Sequence, residues 1–261
     1  MKKTLVVGLV QCDVVTGDVE ANLTRVFHGL MTLAEAGAEL AVLPEMWSCG
    51  FDNAHLKEMA EKTPEIMERI AAFAARERMA VAGSLPELVK EGVSNTLFFA
   101  DTDGSLKEGY RKVHLFTPTG EDDHFVAGDK PKVIETSLGT LGPMICYDLR
   151  FPELARTHAV GGAEVLLVSA QWPKARVAHW ESLLVARAIE NQCFVVGVNR
   201  VGRSGELEFS GASQVISPTG EVLAHAGNAD GEVVVELKRE ALEAFRDQVP
   251  CLEERRPMCY F

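Results

Sequence analysis

Thr140-Leu141-Gly142-Pro143-Met144-Ile145-Cys146-Tyr147-Asp148-Leu149-Arg150-Phe151-Pro152 is the stretch on which the fold turns. A short apolar run ends on a single thiol, and a polar, turning segment follows at once. A strand that ends this way delivers its last side chain to the rim of a sheet, where ligands bind in α/β folds. Upstream, residues 133–136 pair with 139–146 as a hairpin across Ser137-Leu138. Downstream, a helix over 152–160 leads to a strand over 165–169. The same strand therefore belongs both to a hairpin and to a helix-linked unit.

That mixture recurs along the chain. Strands are expected at 4–10, 40–43, 79–83, 94–100, 106–110 and 194–199, with β-rich segments at 212–217, 222–226 and 232–237. Apolar residues at helical spacing, Leu23, Val26, Phe27, Leu30 and Leu33, mark a helix over 19–36. Thr63-Pro64-Glu65 reads as the N-cap and first turn of a second helix ending near Arg78. Further helices follow at 177–191 and 239–247. The turn Asp101-Thr102-Asp103-Gly104 makes a hairpin of its flanking strands. Hairpins interrupt the alternation, which excludes a purely parallel doubly wound sheet. Two mixed sheets packed face to face with helices outside use the pattern better. No linker or low-complexity tract divides the chain, so residues 1–261 read as one domain.

Composition narrows the functional classes. Of 261 residues, 47% are hydrophobic, enough for a large core, and the net charge of -12 argues against nucleic acid and anionic membrane as partners. No run approaches the roughly 18 apolar residues of a membrane span. The apolar segment after Met1-Lys2-Lys3 is short and β-branched and suits a first buried strand better than a leader, so a cytoplasmic protein is expected. Cys12, Cys49, Cys146, Cys193, Cys251 and Cys259 are widely spaced with no C-x-x-C pair, unlike a zinc site or redox dithiol.

Three side chains stand at comparable strand ends. Cys146 needs accessibility and a neighbouring base or cation to act as a nucleophile; otherwise it is an inert core thiol. Glu45 follows Leu43-Pro44, where proline ends the strand and aims the carboxyl outward beside Met46 and Trp47, a setting that raises a carboxyl pKa and suits a general base. Lys112, after Tyr110-Arg111, is either a solvated amine or a cation for a developing oxyanion. No spacing rule ties the three together. A thiol, a carboxylate and an amine suffice for acyl transfer without a metal.

Leu43-Pro44-Glu45, Tyr110-Arg111-Lys112-Val113-His114-Leu115-Phe116 and Ile145-Cys146-Tyr147-Asp148-Leu149-Arg150-Phe151-Pro152-Glu153 resemble, in order, the three signature segments of the nitrilase superfamily of carbon-nitrogen hydrolases. The resemblance runs nearly end to end. It implies a four-layer α-β-β-α sandwich, a homodimer, and a metal-free and cofactor-free Glu-Lys-Cys triad. By position, Glu45 is the general base, Lys112 the oxyanion cation and Cys146 the nucleophile, with the Tyr147 N–H as a second oxyanion donor. Glu121 matches a further glutamate that positions Lys112, or else belongs to an acidic loop with Asp122 and Asp123.

The form Cys146-Tyr147-Asp148-Leu149-Arg150-Phe151-Pro152 is similar to the ω-amidase and deaminated-glutathione-amidase branches. Ser169-Ala170-Gln171-Trp172-Pro173-Lys174-Ala175-Arg176 is similar to the bacterial ω-amidases. The resemblance thus implies a small-molecule amide substrate, the ω-amide of a 2-oxo dicarboxylic acid, with deaminated glutathione as the alternative and a non-catalytic binding relative as a third. Arg150 and Arg176 offer guanidinium groups for the substrate carboxylate; Arg150 could instead pair with Asp148 or Glu153. Trp172 packs over the acyl chain or serves as a core or interface aromatic. His114 and His179 read as structural.

Overall fold

The computed structural model describes residues 1–260. The most apolar runs are the most enclosed: every residue of β8 (Val165–Ala170) and β9 (Phe194–Asn199) is buried. A strand buried on both faces needs a layer on each side, and the topology supplies both. One six-stranded sheet is built from β1 (Thr4–Gln11), β2 (Leu40–Val42), β3 (Ala80–Val89), β4 (Gly92–Ala100), β5 (Leu106–Arg111) and β14 (Gly231–Lys238), in the order β14-β1-β2-β3-β4-β5. The other adds β6 (Ile134–Thr136), β7 (Gly139–Ile145), β12 (Gln214–Ile216) and β13 (Val222–His225), in the order β13-β12-β9-β8-β7-β6. Each sheet has a parallel centre, β1-β2-β3 or β7-β8-β9, flanked by antiparallel strands.

The inner faces share one core, in which Leu5, Val7, Leu9, Val42, Leu97 and Phe99 meet Leu141, Ile145, Leu167 and Val196. Helices α1 (Val19–Glu35) and α2 (Leu56–Glu77) cover the first sheet through Leu23, Val26, Leu30, Ile66, Ile70 and Phe73. Helices α3 (Pro152–Val160) and α4 (Val177–Asn191) cover the second through Leu154, Ala155, Trp180 and Leu184. At Gly197 an added Cβ would lie 2.6 Å from Leu184, so the missing side chain is what lets α4 settle on β9. The layers are α-β-β-α, as the resemblance implies. Helix α5 (Arg239–Gln248) follows β14.

Two sequence expectations need correction, and one element is new. Helix α2 begins at Leu56, not Thr63, and Pro64 lies inside it. Buried Leu56, Met59 and Ala60 extend its apolar face backwards, while the Thr63 hydroxyl donates to Pro86 O at 2.6 Å instead of capping. Strand β7 stops at Ile145, and Cys146 opens a 3-10 turn over Cys146–Arg150. The hairpin of β10 (Val201–Ser204) and β11 (Leu207–Ser210), a separate two-stranded unit, went unread because its residues alternate too weakly to signal strands.

Candidate active site

Cys146 occupies a left-handed conformation, φ 45°, at the turn out of β7. For a residue with a Cβ this is a strained geometry that surrounding contacts must hold. Asp148, fully buried, supplies them. Its Oδ2 accepts from Ile145 N at 3.0 Å and the Tyr110 hydroxyl at 2.8 Å; its Oδ1 accepts from His114 N at 3.0 Å and lies 2.8 Å from His114 Nδ1. The turn carrying the thiol is thereby pinned to the segment carrying Lys112. His114 stacks flat on Phe151, centroids 3.6 Å apart, which fits the structural role expected of it.

Glu45 sits in the turn after β2 and is 1% exposed. Its loop is tied across to the end of β8: Ser169 Oγ donates to Leu43 O at 2.8 Å, and Gln171 Nε2 to Glu45 O at 2.8 Å. The carboxylate accepts from Gln171 N at 2.9 Å on Oε2, and from Asn95 Nδ2 and Lys112 Nζ, each at 2.8 Å, on Oε1. Lys112 Nζ also donates to both oxygens of Glu121, at 2.8 and 2.9 Å. Phe116 N holds Glu121 Oε2 at 2.6 Å. One buried ammonium thus bridges two buried carboxylates, which takes Glu121 out of the exposed acidic loop.

Cys146 Sγ lies 3.9 Å from Gln171 O and lines a cavity of about 160 Å³ together with Glu45, Lys112 and Glu121. Burial pushes the Glu45 carboxyl up; the Lys112 charge opposes this and the Glu121 charge adds to it. Burial alone would lower the Lys112 ammonium, yet the charges of Glu45 and Glu121 outweigh it and the net shift is upward. The Cys146 thiol is raised well above its ordinary value, first by burial and then by the Glu45 charge. The resting site therefore holds a neutral thiol, a fixed cation and a carboxylate that welcomes a proton. The Tyr147 N–H lies in the first turn of the 3-10 segment, where helical geometry provides no acceptor.

The outer wall contains Arg150, Trp172, Arg176 and the hairpin residues Ser204, Leu207 and Phe209. Arg150 lies over the Trp172 ring, 4.6 Å from its centroid, and 3.4 Å from His179 Nδ1. It pairs with neither Asp148 nor Glu153. Arg176 lies over Phe116 at 5.4 Å. Among the described residues neither guanidinium has a carboxylate partner, in a chain of net charge -12. Trp172 is 3% exposed and fixed by Asn199, with its Nε1 donating to Arg176 O at 2.8 Å. Sequence reading missed Asn95, inside β4, Gln171, just past the end of β8, and the hairpin wall; of these only Gln171 has a local signal, its position at a strand end.

The carbon-nitrogen hydrolase family profile matches residues 6–247. The chain is 36% identical over 256 residues to the 2-oxoglutaramate amidase of Bacillus subtilis, covering 97% of this chain and 98% of that protein. It is 35% identical to the ω-amidase YafV of Yersinia enterocolitica, covering 96% of each. An amidase of the nitrilase superfamily from Nesterenkonia superposes with a TM-score of 0.88 at 28% identity, covering 100% of this chain and 97% of that one. A variant of that amidase carries the acetamide moiety of fluoroacetamide covalently added at its active site cysteine.

Proposed function

The chain belongs to the carbon-nitrogen hydrolase family, and from that premise and the geometry of the site we infer that it is an ω-amidase. Its substrates are the ω-amides of 2-oxo dicarboxylic acids, 2-oxoglutaramate and 2-oxosuccinamate. The observation that carries this reading is a partly buried thiol lining one cavity with a carboxylate–ammonium–carboxylate cluster, whose wall also offers two guanidiniums without carboxylate partners among the described residues.

Glu45 takes the Sγ proton as Cys146 attacks the amide carbonyl. Lys112 and the Tyr147 N–H hold the oxyanion. The tetrahedral adduct collapses as Glu45 returns the proton to departing ammonia, leaving a thioester. Water, deprotonated by Glu45, adds to the thioester, and Cys146 leaves as thiol with the carboxylic acid released. Glu121 keeps Lys112 in place. Arg150 and Arg176 bind the substrate carboxylate while Trp172 lines the acyl path, which supports a small anionic amide over a neutral one.

Two copies associate through the exposed apolar side chains of α3, α4 and the C-terminal segment, among them Val160, Ile189 and Met258; a monomer by light scattering at micromolar concentration overturns this. A cytoplasmic location is supported by six cysteines that form no disulfide among the described residues. No helix of the described residues is long and apolar enough to cross a membrane.

Ammonia release from 2-oxoglutaramate, with kcat/KM compared against deaminated glutathione, tests the function. A higher value for 2-oxoglutaramate, lost in folded Cys146→Ala, is expected; preference for the tripeptide analogue overturns the substrate assignment.

A further inference from the structure

Arg200 is fully buried, a setting in which a charge is costly unless every donor is matched. Its match is spread over three parts of the chain. Nη2 donates to Asp13 Oδ1 at 2.6 Å, Val14 O at 2.7 Å and Arg203 O at 3.3 Å, and Nε donates to Val201 O at 3.1 Å. Nη1 donates to Gln171 Oε1 at 3.0 Å. The guanidinium lies over Phe209, 4.6 Å from the ring centroid. Nothing in the reaction outlined above uses this group. Yet Gln171 is the residue whose backbone N–H and side-chain amide both grip Glu45, and Phe209 belongs to the cavity wall.

We propose that Arg200 is a positioning residue that aims the base: by fixing Gln171 Oε1 it holds the Gln171 N–H on Glu45 Oε2, and it seats the β10–β11 hairpin against the same site. A guanidinium suits the task because its planar fork can reach Gln171, Asp13 and the hairpin carbonyls at once, which an ammonium on a flexible stem cannot. Gln171 Oε1 has only this one side-chain donor among the described residues, and if it is lost the amide is free to turn away from the Glu45 carbonyl. Glu45 would keep its Asn95 and Lys112 bonds on Oε1 but lose the donor that fixes Oε2. The inference rests on Glu45 acting as the base.

Three variants test it. Arg200→Lys retains the buried charge opposite Asp13 but not the donor toward Gln171. Gln171→Met removes the amide and leaves every charge in place. Both are expected to lower kcat about 10- to 100-fold, as a misaimed reacting group does, and to move the acidic limb of the pH profile upward, because a carboxylate that loses an N–H donor holds its proton more tightly. The double variant is expected to be no slower than the worse single variant, since Arg200 acts through Gln171. A folded Arg200→Lys with parental kcat and pH profile overturns the inference, as do losses that simply multiply in the double variant. If Arg200→Lys does not fold, Gln171→Met decides alone: a parental pH profile refutes the chain of contacts. Failure of the underlying reading looks different, because the parent itself would then release no ammonia from any linear amide, or Glu45→Gln would be as active as the parent.

Discussion

Replacing Asp148 by Asn changes one buried atom and tests how the Cys146 thiol is held. The carboxylate serves two backbone donors, Ile145 N and His114 N, one on each oxygen, together with the Tyr110 hydroxyl and His114 Nδ1. With an amide in its place the Tyr110 hydroxyl can rotate to accept and the His114 imidazole can change tautomer, but a backbone N–H cannot reverse. Whichever way the amide lies, its NH2 faces one of those N–H groups. A buried donor left without an acceptor costs about 1–3 kcal/mol, and the remaining bonds lose their ionic acceptor, so the total is roughly 2–4 kcal/mol. In a chain of this length that lowers Tm by roughly 5–15 °C. The turn that must keep Cys146 at φ 45° relaxes with it, and kcat is expected to fall by about tenfold. Calorimetry alongside the ammonia assay reads both quantities. An Asp148→Asn protein that melts with the parent and turns over at the parental rate would refute the idea that this carboxylate sets the geometry of the thiol.

Other consequences follow from the same contacts. Because burial raises Glu45 above the ordinary 4.5 and the base must be ionised to work, the acidic limb of log(kcat/KM) should lie above that value; a limb at or below it contradicts the assignment of the base. Arg176→Met should raise KM for 2-oxoglutaramate about 10- to 100-fold, the worth of a charge-assisted hydrogen bond, and leave a neutral amide such as propionamide unaffected; equal losses on both would remove Arg176 from carboxylate binding. His158, buried against Tyr110, has its pKa lowered from 6.5 to about 4, first by burial. The unfolded chain therefore binds this proton more readily, so stability present at neutral pH is lost as pH falls below 6.5, by about 2 kcal/mol at pH 5. His158→Phe should abolish that part of the acid slope in denaturant melts, and an unchanged slope counts against it.

The three motif segments were legible because each is local. Proline at 44, the apolar run before Cys146 and the basic pair Arg111-Lys112 announce strand ends within a few residues. Their mutual approach was legible only through family resemblance, since 67 residues separate Lys112 from Glu45. Helix α2 was misread at its start for a physical reason. Thr63-Pro64 is a strong local initiation signal, but burial of Leu56, Met59 and Ala60 against the sheet outweighs the one hydrogen bond that proline removes. Strand β14 was found, yet its antiparallel place beside β1, more than two hundred residues away, leaves no local trace.

Residue order by itself determined most of the elements, the α/β class and the chemical kinds of side chain placed at strand ends, because side-chain periodicity and turn chemistry act over a few neighbouring residues. Only the tertiary structure decided the electrostatics. It placed one ammonium between two buried carboxylates, set Arg150 and Arg176 on the cavity wall without a carboxylate partner among the described residues, and ran Arg200 through Gln171 to Glu45. Those effects depend on burial and on distances across two packed sheets, and both come into being only when the sheets meet.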